Sequence, residues 1–218
     1  MVQISFTTLT AIASMLAQTA LAAPSEKRAA NCSFPNPSSS TNVKLSAART
    51  IKAGESFDDQ NEGVHCTGPC TIRNVWFEDV CEDAITIKQS SGTSTIVGGG
   101  AKNADDKVVQ HNGGGLVKID SYCVQDFGKL YRSCGNCSSQ TKREVQISQV
   151  NAKNGKLLAG INSNYGDIAT IDTKSNSYTS LKSVCDTFQG NNSGKEPTTL
   201  TKNQSNAKYV SATILPIV

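Results

Sequence analysis

Charged side chains recur at a regular interval through the middle of the chain: Glu82-Asp83, then Asp106-Lys107, then Lys129 and Arg132. Asp83 precedes Asp106 by 23 residues, Lys107 precedes Lys129 by 22 and Arg132 by 25, and Glu62 stands 20 before Glu82. If each interval is one coil of a solenoid, equivalent positions lie about 4.8 Å apart. One face then runs from carboxylates, through a mixed acid and base pair, to a basic step. Taken singly, each residue reads as an exposed turn side chain in a surface ion pair worth at most about 1 kcal/mol. Grouped by sign they mean more, because Glu62, Glu82 and Asp83 repel one another unless a cation lies among them, and oxygen-only ligands favour Ca²⁺.

The chemistry that uses both halves of such a face is β-elimination on a uronide polymer. A proton α to a carboxylate is barely acidic until that carboxylate is neutralised and the enolate-like charge is stabilised. A bound cation supplies the neutralising charge. A neutral amine or guanidine then takes the proton. A Lys beside other cations and a metal ion is expected to have a lowered pKa that suits this role.

The elements that must hold these residues are β-strands. Helical periodicity is scarce, whereas short β-branched runs bounded by Gly, Asn and Asp recur: residues 71–75 with 84–88, 95–97 with 108–110, 116–119 with 130–131, 145–147 with 156–159, and 168–171 with 178–181. A circuit of roughly 22 to 27 residues suits stacked coils that each contribute two or three short parallel strands. An antiparallel sandwich would show more two-residue hairpin turns than Asn112-Gly113 and Asn154-Gly155. The run Val75-Trp76-Phe77 fits strands buried by stacking, and Trp76 reads as packing rather than as a sugar platform. The expected fold class is therefore all-β, a right-handed parallel β-helix.

Residues 2–23 carry no charged side chain and end in small residues, the pattern of a secretory signal, with an apolar part too short for a membrane span. Removing it leaves roughly 195 residues, enough for one domain. We expect a signal peptide over 1–22, an extended segment over 23–45, the β-helix over 46–210 and a tail over 211–218. Glu26-Lys27-Arg28 offers a second processing site. A formal net charge of +3 with scattered basic residues argues against nucleic acid as a partner. No membrane partner is expected either, and the chain reads as a monomer.

Eight cysteines in a chain addressed outside the cell read as disulfides. Cys66-Thr67-Gly68-Pro69-Cys70 and Cys134-Gly135-Asn136-Cys137 would suggest zinc or redox chemistry elsewhere, but there is no βαβ pattern, and His65 and His111 lack ligand spacing. Asn31, Asn136, Asn191 and Asn203 each begin a glycosylation sequon.

Four stretches together resemble polysaccharide lyase family 3, the extracellular pectate lyases of fungi, bacteria and nematodes. They are Glu62-Gly63-Val64-His65-Cys66; Asn74-Val75-Trp76-Phe77-Glu78-Asp79-Val80-Cys81-Glu82-Asp83-Ala84; Ala101-Lys102 with Asp106-Lys107-Val108; and Asp126-Phe127-Gly128-Lys129-Leu130-Tyr131-Arg132-Ser133-Cys134-Gly135-Asn136-Cys137. The resemblance covers residues 61 to 200 and implies a Ca²⁺-dependent eliminase acting on de-esterified homogalacturonan (polygalacturonate, pectin) of the plant cell wall. It implies that Glu62, Glu82 and Asp83 are metal ligands, and Asp106 sits beside them as a further candidate. Lys107 matches the family's proposed base. Lys129 and Arg132 match residues that hold substrate carboxylates or assist proton abstraction, and the division of catalytic and substrate-binding roles among the three stays open.

The chain departs from the family between Lys52-Ala53-Gly54-Glu55-Ser56-Phe57-Asp58 and the Glu62 motif, where members carry a longer stretch with the first coils and another acidic position. The solenoid is therefore expected to be truncated at its N-terminal coils, which exposes strand edges. That departure motivates an alternative, a catalytically inactive secreted β-solenoid that binds acidic polysaccharide. A β-helix glycoside hydrolase working through two carboxylates is the third reading, and it leaves Lys107, Lys129 and Arg132 without a role.

Overall fold

The computed structural model describes residues 32–34, 49–51, 56–57, 63–80, 82–203 and 212–213. In chain order the strands are β1 (Arg49–Ile51), β2 (Ser56–Phe57), β3 (Val64–Cys66), β4 (Thr71–Arg73), β5 (Trp76–Phe77), β6 (Asp83–Ile87), β7 (Thr93–Val97) and β8 (Gly100–His111). They continue as β9 (Gly115–Asp120), β10 (Cys123–Ser133), β11 (Arg143–Ser148), β12 (Asn151–Asn162), β13 (Ile168–Ile171), β14 (Ser177–Gln189), β15 (Thr198–Thr201) and β16 (Ala212–Thr213). One sheet runs β1-β3-β6-β8-β10-β12-β14-β15, with β5 on β8, and the other runs β16-β13-β11-β9-β7-β4-β2. Every pairing is parallel except β14 with β15. The chain thus winds as a right-handed parallel β-helix.

The recurring β-branched runs form these strands because identical positions stack from coil to coil. Ile72, Ile96, Ile119, Ile147 and Ile171 are successive register partners, and each is at most 1% exposed. Opposite them Val64, Ile85, Val109, Tyr131, Ala159 and Cys185 form a fully buried column. Each isoleucine contributes roughly 1.5–3 kcal/mol by leaving water, so the ladders rather than any single contact hold the coils together.

The long strands β8, β10, β12 and β14 outrun the short hydrophobic runs that predict them. Each turns a corner at one left-handed residue, Asn103, Asp126, Asn154 or Ser180, with φ between 51° and 56°. These four stack in register. Asn and Asp enter this region at low cost, and Asn154 Nδ2 also donates to Asp126 Oδ1. Asn154-Gly155 is therefore a corner inside β12 and not a hairpin turn.

Disulfides join Cys32 to Cys123, Cys66 to Cys70 and Cys134 to Cys137. Cys185 is buried and unpaired among the described residues. The first bridge lays Phe34 edge-on against Trp76 at 4.8 Å between ring centroids, which gives Trp76 a packing contact. The expected signal peptide and the boundaries at 22, 45 and 210 fall outside the described residues, and β16 lies past residue 210, pairing in parallel with β13.

Candidate active site

Asp83 opens β6, Lys107 lies in β8 and Lys129 in β10, and the parallel register sets the three side by side on successive coils. The phase differs from the sequence expectation. Asp83 pairs with Lys107, 24 residues on, rather than with Asp106 at 23.

A bulge in β8 makes room for both charges. Ala104 pairs with Phe127 and Lys107 with Lys129, so β8 takes three residue steps where β10 takes two. The surplus falls at Asp105-Asp106, both exposed, which breaks the alternation of inward and outward side chains. Gly128 faces the bulge because a Cβ there would lie 2.4 Å from the Asp106 carbonyl and 2.5 Å from that of Asp105. Sequence reading passed over Gly128, although a Gly inside a strand pattern signals a close backbone approach.

The bulge aims the Asp106 carboxylate at two ammonium groups. Oδ2 accepts from Lys107 Nζ, and Oδ1 accepts from Lys129 Nζ at 2.5 Å. Lys107 Nζ also lies 3.2 Å from Asp83 Oδ1. That last contact is an ion pair to a buried oxygen, Asp83 Oδ1.

Burial pushes the Asp83 carboxyl above its ordinary value, and Lys107 only partly opposes this. Burial acts the same way on Asp106, but hydrogen bonds and charge from Lys107 and Lys129 outweigh it and hold that carboxyl below the usual range. Desolvation lowers Lys107, yet Asp106 and Asp83 overcome it and its pKa rises. The lowered value expected from the sequence is that of a Lys beside a bound metal ion and other cations; the two carboxylates that clamp the amine set the sign seen here.

Glu82 is exposed, immediately before Asp83, and its charge helps raise the Asp83 pKa. Glu62 lies outside the described residues. Among the described residues no three His, Cys, Asp or Glu side chains form a group able to hold a metal. The donor chemistry nonetheless suits a hard cation: Asp83, Asp106 and Glu82 offer only oxygen, and Asp83 Oδ1 is buried with the Lys107 ammonium beside it at 3.2 Å.

Arg132 pairs with Gln110 and Gly160 rather than joining the Lys column. It is 6% exposed, and burial pushes its guanidinium down to about 10, with Asp167 and Tyr131 opposing. Its side chain leans toward β12 and β14, to Asn162 and Phe188, and not toward Asp106. The structure therefore brings together Asp83, Asp106, Lys107 and Lys129, and sets Arg132 apart on the same strand as Lys129. No pattern in the sequence pointed to Asn162 or Phe188.

A sequence profile of the family described as Pectate lyase matches residues 58–195. The chain belongs to the pectate lyase family. A probable pectate lyase E of Aspergillus clavatus is 62% identical over 141 residues, covering 64% of this chain and 54% of the relative. A probable pectate lyase E of Neosartorya fischeri is 56% identical over 168 residues, covering 76% and 65%. The chain thus spans between half and two thirds of the length of these curated relatives. Among solved structures, the catalytic domain of pectate lyase PelI from Erwinia chrysanthemi superposes with a TM-score of 0.61 at 27% identity, covering 76% of this chain and 99% of that one. A second pectate lyase structure, PelI in complex with tetragalacturonic acid, matches with a TM-score of 0.58 at 28% identity, covering 78% of this chain and 69% of that one.

Proposed function

We propose that this protein is a secreted, Ca²⁺-dependent pectate lyase that cleaves de-esterified homogalacturonan by β-elimination and releases unsaturated oligogalacturonides. The observation that carries the reading is the register of Asp83, Lys107 and Lys129 on three adjacent coils, with Asp106 bridging both amines. Family membership and the likeness to a pectate lyase seen with tetragalacturonic acid support the substrate. The leader pattern over 1–22 and the three disulfides support secretion, and the four sequons support a glycoprotein.

In this reading Asp83, Asp106, Glu82 and Glu62 would hold Ca²⁺, which would supply charge to neutralise a uronate carboxylate and acidify the C–H beside it. With Asp83 and Asp106 engaged by such a cation, Lys107 would lose the partners that keep it protonated. Its neutral amine takes the proton α to the carboxylate. The electron pair of that C–H bond becomes the new C=C bond, and the glycosidic oxygen on the β carbon leaves with its pair and is protonated. Lys129, facing the same carboxylate, donates hydrogen bonds to the substrate anion, and Arg132 binds a further uronate carboxylate.

Incubating the purified protein with polygalacturonate, with and without added Ca²⁺, tests the proposal through the ultraviolet absorbance of the conjugated double bond. Absorbance that grows only with Ca²⁺ is the expected result. Folded protein that binds the polymer without forming that chromophore would instead identify a polysaccharide-binding solenoid.

A further inference from the structure

Arg132 leaves β10 sideways. Its side chain crosses Gly160 on β12, where a Cβ would lie 2.8 Å from Arg132 Cδ. The guanidinium rests over the Phe188 ring of β14, with Cζ 3.9 Å from the centroid. Phe188 is the register partner of Asn162 at the end of β12, so the ring and the amide flank the same guanidinium. Arg132 Nη1 donates to Asn162 Oδ1 at 3.0 Å and to the Ser133 carbonyl at 2.6 Å.

Asn162 is itself held fast. It is fully buried, its backbone N–H donates to Asp167 Oδ2 at 2.9 Å, and its Nδ2 donates to the Cys134 carbonyl at 2.9 Å. Asp167 is anchored in turn by the Arg143 backbone N–H at 2.9 Å. A rigid chain of contacts therefore runs from the interior to one arginine at the edge of the candidate site.

The division of the guanidinium is informative. Both protein acceptors use Nη1, and Cζ lies over the Phe188 ring. Neither acceptor takes Nε or Nη2. Nη2 lies beside Gly135, where a Cβ would stand 2.6 Å from it, and Glu196 adds its charge to the same guanidinium. The Nε and Nη2 edge is the one whose geometry can grip a carboxylate through two parallel hydrogen bonds. We infer that Phe188 and Asn162 are positioning residues for Arg132, holding its Nε and Nη2 edge toward a uronate carboxylate of the polymer. This inference rests on the pectate reading of the site. Its physical basis is preorganisation: a stacked and hydrogen-bonded arginine gives up less freedom on binding than a free one.

The test compares Phe188→Leu, which keeps apolar bulk and removes the ring, with Phe188→Tyr, which keeps the ring. Phe188→Leu raises KM for polygalacturonate, and Kd for trigalacturonate, by about tenfold, the loss of one desolvated cation–π contact. Its kcat changes much less, its melting temperature stays near that of the parent, and Phe188→Tyr restores KM. A folded Phe188→Leu protein with parental KM and parental trigalacturonate affinity overturns the inference, and so does a tyrosine variant as weak as the leucine one. Trigalacturonate binding that depends on Phe188 in a protein making no unsaturated product supports the positioning role and sinks the lyase reading.

Discussion

Lys107 and Asp83 are register partners on β8 and β6, with Nζ 3.2 Å from a buried Asp83 oxygen. The candidate base and the candidate metal ligand are thus in contact, and each holds the other out of its working state. An ammonium on Lys107 occupies the charge position that a cation at Asp83 would take over. In the proposed lyase, cation binding and release of the amine would be coupled by simple charge exclusion.

Replacement of Lys107 by Ala removes the proposed proton acceptor without touching the core. We expect kcat on polygalacturonate to fall by roughly 10²–10⁴-fold. Chromophore formation measures this, with circular dichroism showing that the strands persist. Activity within a few-fold of the parent would move the base to Lys129 or Arg132.

The raised pKa of Lys107 also sets the direction of the pH profile. Because Asp106 and Asp83 keep the amine charged, kcat/KM climbs as pH rises and the neutral fraction grows. Saturating Ca²⁺ shifts the rising limb to lower pH, since the carboxylates then face the cation. A limb at the same pH at low and at saturating Ca²⁺ would separate the two events.

Removal of the metal by a chelator is expected to abolish turnover, and added Ca²⁺ to restore it. Asp83→Asn weakens Ca²⁺ binding by roughly tenfold or more, because a ligand charge is lost where the cation sits. Calorimetric titration of the two proteins checks this, and equal affinities would take Asp83 out of the ligand set.

Acid stability should follow His111. The imidazole is fully buried, bonded to the Tyr131 hydroxyl at 2.8 Å and the Gly114 carbonyl at 3.1 Å, and burial lowers its pKa from 6.5 to about 4. A depressed pKa means the unfolded chain binds the proton first. The contribution is complete above pH 6.5 and is lost as pH falls toward 4, amounting to about 3 kcal/mol. Urea unfolding across that window measures it, and His111→Gln should flatten the slope.

Gly128→Ala tests the bulge. The added methyl meets two backbone carbonyls rather than a movable side chain, so about 1–3 kcal/mol of stability is lost and the Asp106 carboxylate is displaced from the lysines. Unfolding and activity assays on the same preparation report both effects. Parental values in both would show that the bulge relaxes freely.

Much of this architecture was legible in the chain itself. The runs around Ile72, Ile96, Ile119, Ile147 and Ile171 became the ladder they predicted, because a residue that must stack on its own kind recurs once per coil. The corners at Asn103, Asp126, Asn154 and Ser180 were not visible: polar residues at a bend look the same in sequence as those at a strand end.

By itself the sequence determined the coil period, the parallel stacking and the order in which acidic and basic residues meet along the solenoid. These follow from hydrophobic periodicity and from counting residues between like positions. Only the tertiary structure decided that Asp83 faces Lys107 rather than Asp106, and that Arg132 turns across Gly160 to Asn162 and Phe188. A bulge adds a residue without adding a full step of strand, so residue counts alone cannot assign phase. Which way a long side chain leans depends on the empty space that a glycine on the neighbouring strand happens to leave.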